Sequence, residues 1–264
     1  MGATTDVRAW RPPVPGVAEV LHAHFPHHAY PSHTHDTWTV LLVDSGTVLY
    51  DLGGRAHATR RESVTLLPPH VPHDGRGATV EGFRKRVVYL EAGTLDESGA
   101  GRSVDEPTSD DPALVRHVRS LHHALRHPGD ELEATSQLAL VVESLSCRLR
   151  GVPVERSRSD AALAGRLREL LDASVVEGVT LAAAAAALGA PEARLVRTFR
   201  RELGISPHRY LTGRRVDAAR RLLLDGMPAA QVAAEVGFHD QSHLTRHFKH
   251  VLGVPPGRYA RDSP

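Results

Sequence analysis

The chain has 264 residues, with 32 Lys+Arg against 31 Asp+Glu, 41% hydrophobic residues and one cysteine. That length suits one large domain or two ordinary ones, and the lone Cys147 excludes a disulfide framework and a cysteine-based zinc site. No apolar run reaches the ~20 residues that cross a bilayer, and the opening MGATTDVRAWRPPVPG lacks the apolar core of a signal peptide, so a cytoplasmic protein with no membrane partner is expected.

The charge is unevenly placed. Residues 1–159 hold 17 Lys+Arg against 20 Asp+Glu, and residues 160–264 hold 15 against 11. A basic C-terminal part beside a mildly acidic N-terminal part predicts that one segment meets phosphate and the other does not.

Residues 1–16 are Pro-rich and weakly patterned, an N-terminal arm that is either a frayed terminus or a first edge strand. From 17 to 91 the chain reads as β. Thr37–Val43 and Gly46–Leu52 are rich in β-branched, aromatic and aliphatic residues, Gly53-Gly54 is a two-residue hairpin signal, and Ser63–Leu67 ends at Pro68-Pro69. Short strands at close spacing predict a small barrel or sandwich. Residues 92–112 are acidic and bear Gly, Ser and Pro, the composition of a linker or long loop. Two helices are predicted over 113–150, the first with Leu114, Val118, Leu121 and Leu125 on one side, the second with Leu138, Val141, Val142, Leu145 and Leu149. They either cover the β domain or pair with a second copy as a homodimer. Residues 151–159, GVPVERSRS, form a second linker.

After it the pattern is helical to the end. Leu163, Leu167, Leu170 and Leu171 mark one helix, and Thr180 can cap Leu181–Leu188. Ser206-Pro207 opens a long helix to Leu224, with serine as cap and proline at the first position. One unit then occurs twice. A short helix, a glycine and a second helix span about 181–203 (Gly189) and about 229–252 (Gly237). The second helices carry Leu195-Val196-Arg197-Thr198-Phe199 and Leu244-Thr245-Arg246-His247-Phe248. Each is the pattern of a helix-turn-helix that lays its second helix in the DNA major groove.

Residues 163–262 resemble the DNA-binding domain of the AraC/XylS transcription regulators. The resemblance is carried by Gly204-x-Ser206-Pro207-x-x-Tyr210, Arg215-Val216-x-x-Ala219-x-x-Leu222-Leu223, Val232-Ala233-x-x-Val236-Gly237-Phe238-x-Asp240-Gln241-Ser242, Thr245-Arg246-x-Phe248-Lys249 and Gly253-Val254-x-Pro256-x-x-Tyr259. It implies double-stranded DNA as partner. The DNA-facing positions it implies are Ala193, Arg194, Val196, Arg197 and Arg201 in the first unit and Gln241, Ser242, Thr245, Arg246 and Lys249 in the second. Arginine can pair bidentately with guanine and glutamine with adenine. The first unit departs from the family: Ala184 and Ala190 stand where larger apolar residues are usual, and Pro191 replaces a serine cap.

Histidines cluster in the first domain, at His22, His24, His27, His28, His33, His35, His70 and His73 among 18 in all. His33-x-His35, Gly46 and the Pro69…His73 turn resemble a cupin barrel, although Thr39 and Val40 stand where a metal-binding cupin carries a glutamate. A small-molecule effector pocket is expected from His33, His35, Trp38, Tyr50, His73, Arg84 and Tyr89, with no cofactor. The same histidines have two other readings, as ligands of a metal (His33, His35, His73) or as structural residues.

The whole therefore reads as an α+β protein of two domains. Residues 17–150 form a cupin-like barrel with covering or dimerisation helices, and 160–264 form an all-α domain with two helix-turn-helix units. The expected function is effector-responsive, sequence-specific transcription regulation without enzymatic activity, with RNA polymerase as a further partner if the protein is an activator. The alternative is a metal-dependent cupin enzyme fused to a DNA-binding domain.

Overall fold

In the computed structural model, which describes residues 5–26, 29–79, 81–154 and 160–261, the first part of the chain is β. His27, His28 and most of the 151–159 linker lie outside the described residues. The strands are β1 (Asp6–Trp10), β2 (Val17–Phe25), β3 (Ala29–His33), β4 (Thr39–Ser45), β5 (Val48–Leu52), β6 (Arg55–Thr59), β7 (Val64–Leu67), β8 (His73–Gly77) and β9 (Phe83–Leu90). After them come α1 (Ala100–Asp105), β10 (Thr108–Ser109), α2 (Pro112–Ala124) and α3 (Glu131–Arg150). The strands make two antiparallel sheets, ordered β1-β2-β9-β4-β7-β10 and β3-β8-β5-β6. Ala23, Phe25, Val43 and Phe83 of the first pack with Val48 of the second, so the apolar faces of both sheets share one core. Gly46 sits at φ +78°, and a Cβ there would lie 2.3 Å from the Gly82 carbonyl oxygen, so only glycine fits.

One stretch takes one of its two expected forms, and another differs from expectation. Residues 6–10 of the predicted arm are the edge strand β1, paired with β2 along its whole length, and Trp10 Nε1 donates to the Leu125 carbonyl at 3.1 Å. The predicted 92–112 linker is partly regular: Leu95 is buried, Ser103 Oγ donates to the Leu66 carbonyl at 2.8 Å, and β10 pairs with β7. A few anchoring side chains outweigh a loop-like average composition. Asp111 caps α2, whose Leu114, Val118 and Leu121 are buried within the chain.

The chain divides into two compact units, Met1–Leu125 with Gln137–Glu155, and Arg126–Ser136 with Arg156–Pro264. Residues 126–136 thus go with the C-terminal unit, which the sequence placed in the first domain. Leu132 packs on the helical core, and Glu133 Oε2 accepts from Ser206 Oγ at 3.1 Å.

The C-terminal unit is built from α4 (Ala161–Ala173), α5 (Leu181–Leu188), α6 (Glu192–Leu203), α7 (Pro207–Leu224), α8 (Ala229–Glu235), α9 (Gln241–Leu252) and α10 (Pro256–Arg261). It has two cores. Leu163, Leu167 and Leu171 of α4 and Leu211 of α7 form one buried cluster with Ala184, Ala190, Leu195 and Phe199. Val216, Ala219 and Leu223 of α7 close around Val232, Val236, Leu244 and Phe248. Each core anchors one helix-turn-helix, and α7 contributes to both. Thr180, Ser206 and Asp240 cap α5, α7 and α9 through their side-chain oxygens. Thr180→Ala removes the bond from the Ala183 N–H at 3.1 Å. It is expected to lower stability by about 1 kcal/mol in a denaturant melt, with the far-ultraviolet signal of the native state unchanged.

Candidate functional site

The barrel encloses a cavity of about 110 Å³. His33 ends β3, His73 begins β8, and the two are direct cross-strand partners. Their ring centroids lie 4.5 Å apart, and His35 is 4.9 Å from His33, 5.0 Å from His73 and 5.3 Å from Tyr89. His33 Nδ1–H donates to the Pro31 carbonyl at 2.8 Å and His73 Nδ1–H to the Val71 carbonyl at 3.0 Å, since a carbonyl can only accept. Both rings therefore carry a lone pair on Nε2 when neutral. Burial, then the neighbouring His73, His33 and Lys85, push His35 down to about 4. Burial likewise lowers His73, against the Val71 bond that raises it. At neutral pH these two imidazoles are uncharged.

Of the expected pocket residues, His33, His35, Tyr50, His73 and Tyr89 line this cavity, and Trp38 and Arg84 do not. Trp38 is 2% exposed and packed within the chain. Arg84 is exposed, and the cation that lines the cavity is its neighbour Lys85. On β9, residues i, i+2 and i+4 share a face, so Lys85 goes with Val87 and Tyr89. Strand alternation thus puts Lys85, not the expected Arg84, on the face that carries Tyr89. Tyr30 and Asp74 also line the cavity and were missed.

The second site is the pair of helices α6 and α9. On α9, Gln241, Ser242 and Lys249 are exposed and Thr245 and Arg246 half-buried. On α6, Arg194 and Arg201 are exposed and Arg197 half-buried, and Arg194 Nη2 lies 3.0 Å from Asp160 Oδ2. Ala193 and Val196 are a correction: they are 7% and 1% exposed, and side chains so buried offer no surface to a base edge.

Arg246 has a partner that the sequence did not reveal. Its Nη2 donates to Asp130 Oδ1 at 2.9 Å, beside His247 Nε2 at 3.0 Å and His243 Nε2 at 3.1 Å, with His208 Nε2 at 3.5 Å. The His239 backbone N–H donates to His243 Nδ1 at 3.2 Å, so His243 donates to Asp130 from Nε2. Burial would raise the Asp130 carboxyl; hydrogen bonds from the three histidines overturn that and hold it well below the usual carboxylate range. His243 and His247, four apart on α9, were legible as one helix face, but Asp130, 113 residues before His243, was not.

A barrel with a lined cavity, followed by two helix-turn-helix units around one linking helix, defines a transcription regulator with a ligand-binding domain. Residues 15–142 match the family model described as the AraC-like ligand binding domain, and 184–262 match that of a helix-turn-helix domain. The chain belongs to the AraC-type transcription regulators. It is 24% identical over 226 residues to the HTH-type transcriptional regulator YbfI of Bacillus subtilis (strain 168), covering 81% of each chain. It is 23% identical over 252 residues to the HTH-type transcriptional activator RhaS of Salmonella paratyphi A, covering 90% of this chain and 91% of that one. Among solved structures, the C-terminal domain of the response regulator AraT from Geobacillus stearothermophilus is 30% identical, over 41% of this chain and 89% of that one, with a TM-score of 0.37.

Proposed function

We propose that the protein reads a specific operator through α6 and α9 together, and that a small molecule bound in the barrel cavity controls that binding. The observation that carries the DNA reading is the duplicated unit on one linking helix. The 18 residues of α7 span about 27 Å, and successive major grooves on one face of the duplex lie about 34 Å apart. Two recognition helices held this way can enter adjacent grooves from a single chain.

Arg194, Arg197 and Arg201 on α6 and Gln241, Ser242, Thr245, Arg246 and Lys249 on α9 are the contacts we assign. Gln241 is suited to an adenine edge, and the arginines to guanine or phosphate. The role is binding rather than turnover, exercised in the cytoplasm, with RNA polymerase as partner where the protein activates. The buried stripe of α2 supports covering of the barrel over pairing with a second copy.

The tautomers of His33 and His73 favour a second reading of the barrel. Nδ1–H bonds to backbone carbonyls are the outer-shell arrangement that metal-ligating histidines use, so Nε2 of both rings, with His35, can hold a divalent transition metal. Metal content of the purified protein tests it: one equivalent lost in His35→Ala supports the metal, and none in the wild type refutes it.

Anisotropy titrations of the full chain on its own upstream region and on a scrambled duplex, across salt, test the DNA reading. A preference for the upstream region that persists as salt rises, and that Gln241→Ala reduces about tenfold or more, is expected. Equal binding to both duplexes with only a salt slope contradicts it.

A further inference from the structure

We infer that the barrel cavity takes a small carboxylic acid with an apolar body, its carboxylate seated on Lys85. This rests on the barrel being the effector site. Lys85 is the one lysine or arginine among the described residues that line the cavity, and among them it forms no ion pair. Its Nζ stands 4.0 Å from the Tyr30 ring centroid and 5.9 Å from that of Phe25. Aromatic faces ease the burial of an ammonium group, but full compensation of a buried charge needs an opposite one. The cavity's one carboxylate, Asp74, is engaged elsewhere: its Oδ1 accepts the Asp51 backbone N–H at 2.7 Å. The place of a counter-anion is left to a ligand.

The rest of the wall agrees. Tyr30 and Tyr89 are both held in the phenol form by burial, Tyr89 pushed up to about 12, so each can donate an O–H. Burial brings Lys85 down to about 8, which leaves it cationic at neutral pH. The apolar part of the lining is Leu21, Leu41, Val48, Leu67 and Val87, with Val87 between Lys85 and Tyr89 on β9. A ligand hydroxyl turned toward those side chains finds no partner, at a cost for each one. The cavity volume, about 110 Å³, is somewhat below the ~150 Å³ that admits benzene elsewhere. An acid with a short aliphatic chain or a single ring, bound with slight expansion, matches size, charge and wall at once.

The test uses the full chain and four probes, butyrate and benzoate with their neutral amides, by calorimetry and thermal shift. Acids are expected to bind at least about tenfold more tightly than amides. Lys85→Met is expected to weaken the acids about 10- to 100-fold and leave the amides unchanged. Because that variant replaces a half-buried cation by an apolar side chain of similar length, its melting temperature without ligand should equal or exceed the wild type; Lys85→Gln serves as a second version. Amides that bind as tightly as acids, acids indifferent to Lys85→Met and Lys85→Gln, or no binding by either acid at millimolar concentration overturns the proposal. Val87→Trp, which fills the cavity, separates the two levels. If it abolishes tight amide binding, the barrel stands as the effector site and the anion is wrong. If acid binding survives it, the barrel reading falls with the proposal.

Discussion

Gly237→Ala is expected to abolish operator binding while leaving ligand binding in the barrel intact. Gly237 sits at φ +82° in the turn between α8 and α9. A non-glycine residue there costs about 1–2 kcal/mol from backbone strain alone. The larger effect is contact: an added Cβ would lie 2.1 Å from the Val176 carbonyl oxygen and 2.9 Å from its carbon. These are backbone atoms that cannot rotate away, so the turn must open. A total of about 3 kcal/mol or more is expected, drawn from the core of Val232, Val236, Leu244 and Phe248. Since α9 is oriented by that core, DNA affinity should fall more than about 100-fold, the equivalent of that energy. Denaturant melts and anisotropy on one sample check both halves; wild-type affinity in the variant would contradict the placement of the turn.

Asp130→Asn is expected to act in two directions at once. Asp130 is 5% exposed and its Oδ1 receives Arg246, His243 and His247 together. Removing one partner of such a buried charged cluster typically costs about 3–5 kcal/mol. Asparagine keeps the shape and one acceptor, which places this substitution at the lower end. The native carboxyl is held below its unfolded value, so its contribution is complete above about pH 4 and is lost as pH falls below that. The stability gap between wild type and variant should therefore close in acid. DNA affinity should move the other way. While Asp130 holds the Arg246 guanidinium, that group is engaged in a contact it must leave to reach a base or phosphate. Its release should tighten operator binding by up to about fivefold, the scale of one exposed charge contact. A variant that is less stable yet binds DNA no better would show that Arg246 serves packing alone.

Much of this protein was legible in its sequence, for identifiable reasons. The two helix-turn-helix units follow from local rules: apolar residues four apart, a glycine between, and Thr180, Ser206 and Asp240 at the caps. The barrel followed from short β-rich runs with Gly53-Gly54 between two of them. What escaped depended on single residues at long range. The choice between frayed terminus and edge strand for residues 6–10 is made by β2, which offers β1 a partner along its length. Lys85 rather than Arg84 enters the cavity because strand alternation is strict, and a register read one residue off exchanges inside for outside. Ala193 and Val196, assigned to DNA by resemblance, are buried because they share the i, i+3 row of the helix with Phe199. The Asp130 cluster depends on a segment that no local pattern ties to α9.

Two reading helices that enter consecutive major grooves from one chain must each leave a footprint. Hydroxyl-radical footprinting of the full chain on its upstream region tests this most directly. Two protected patches are expected on one face of the duplex, about one helical turn or 10 base pairs apart, one fading in Arg194→Ala and the other in Gln241→Ala. A single patch, or two that fade together in either variant, would contradict it.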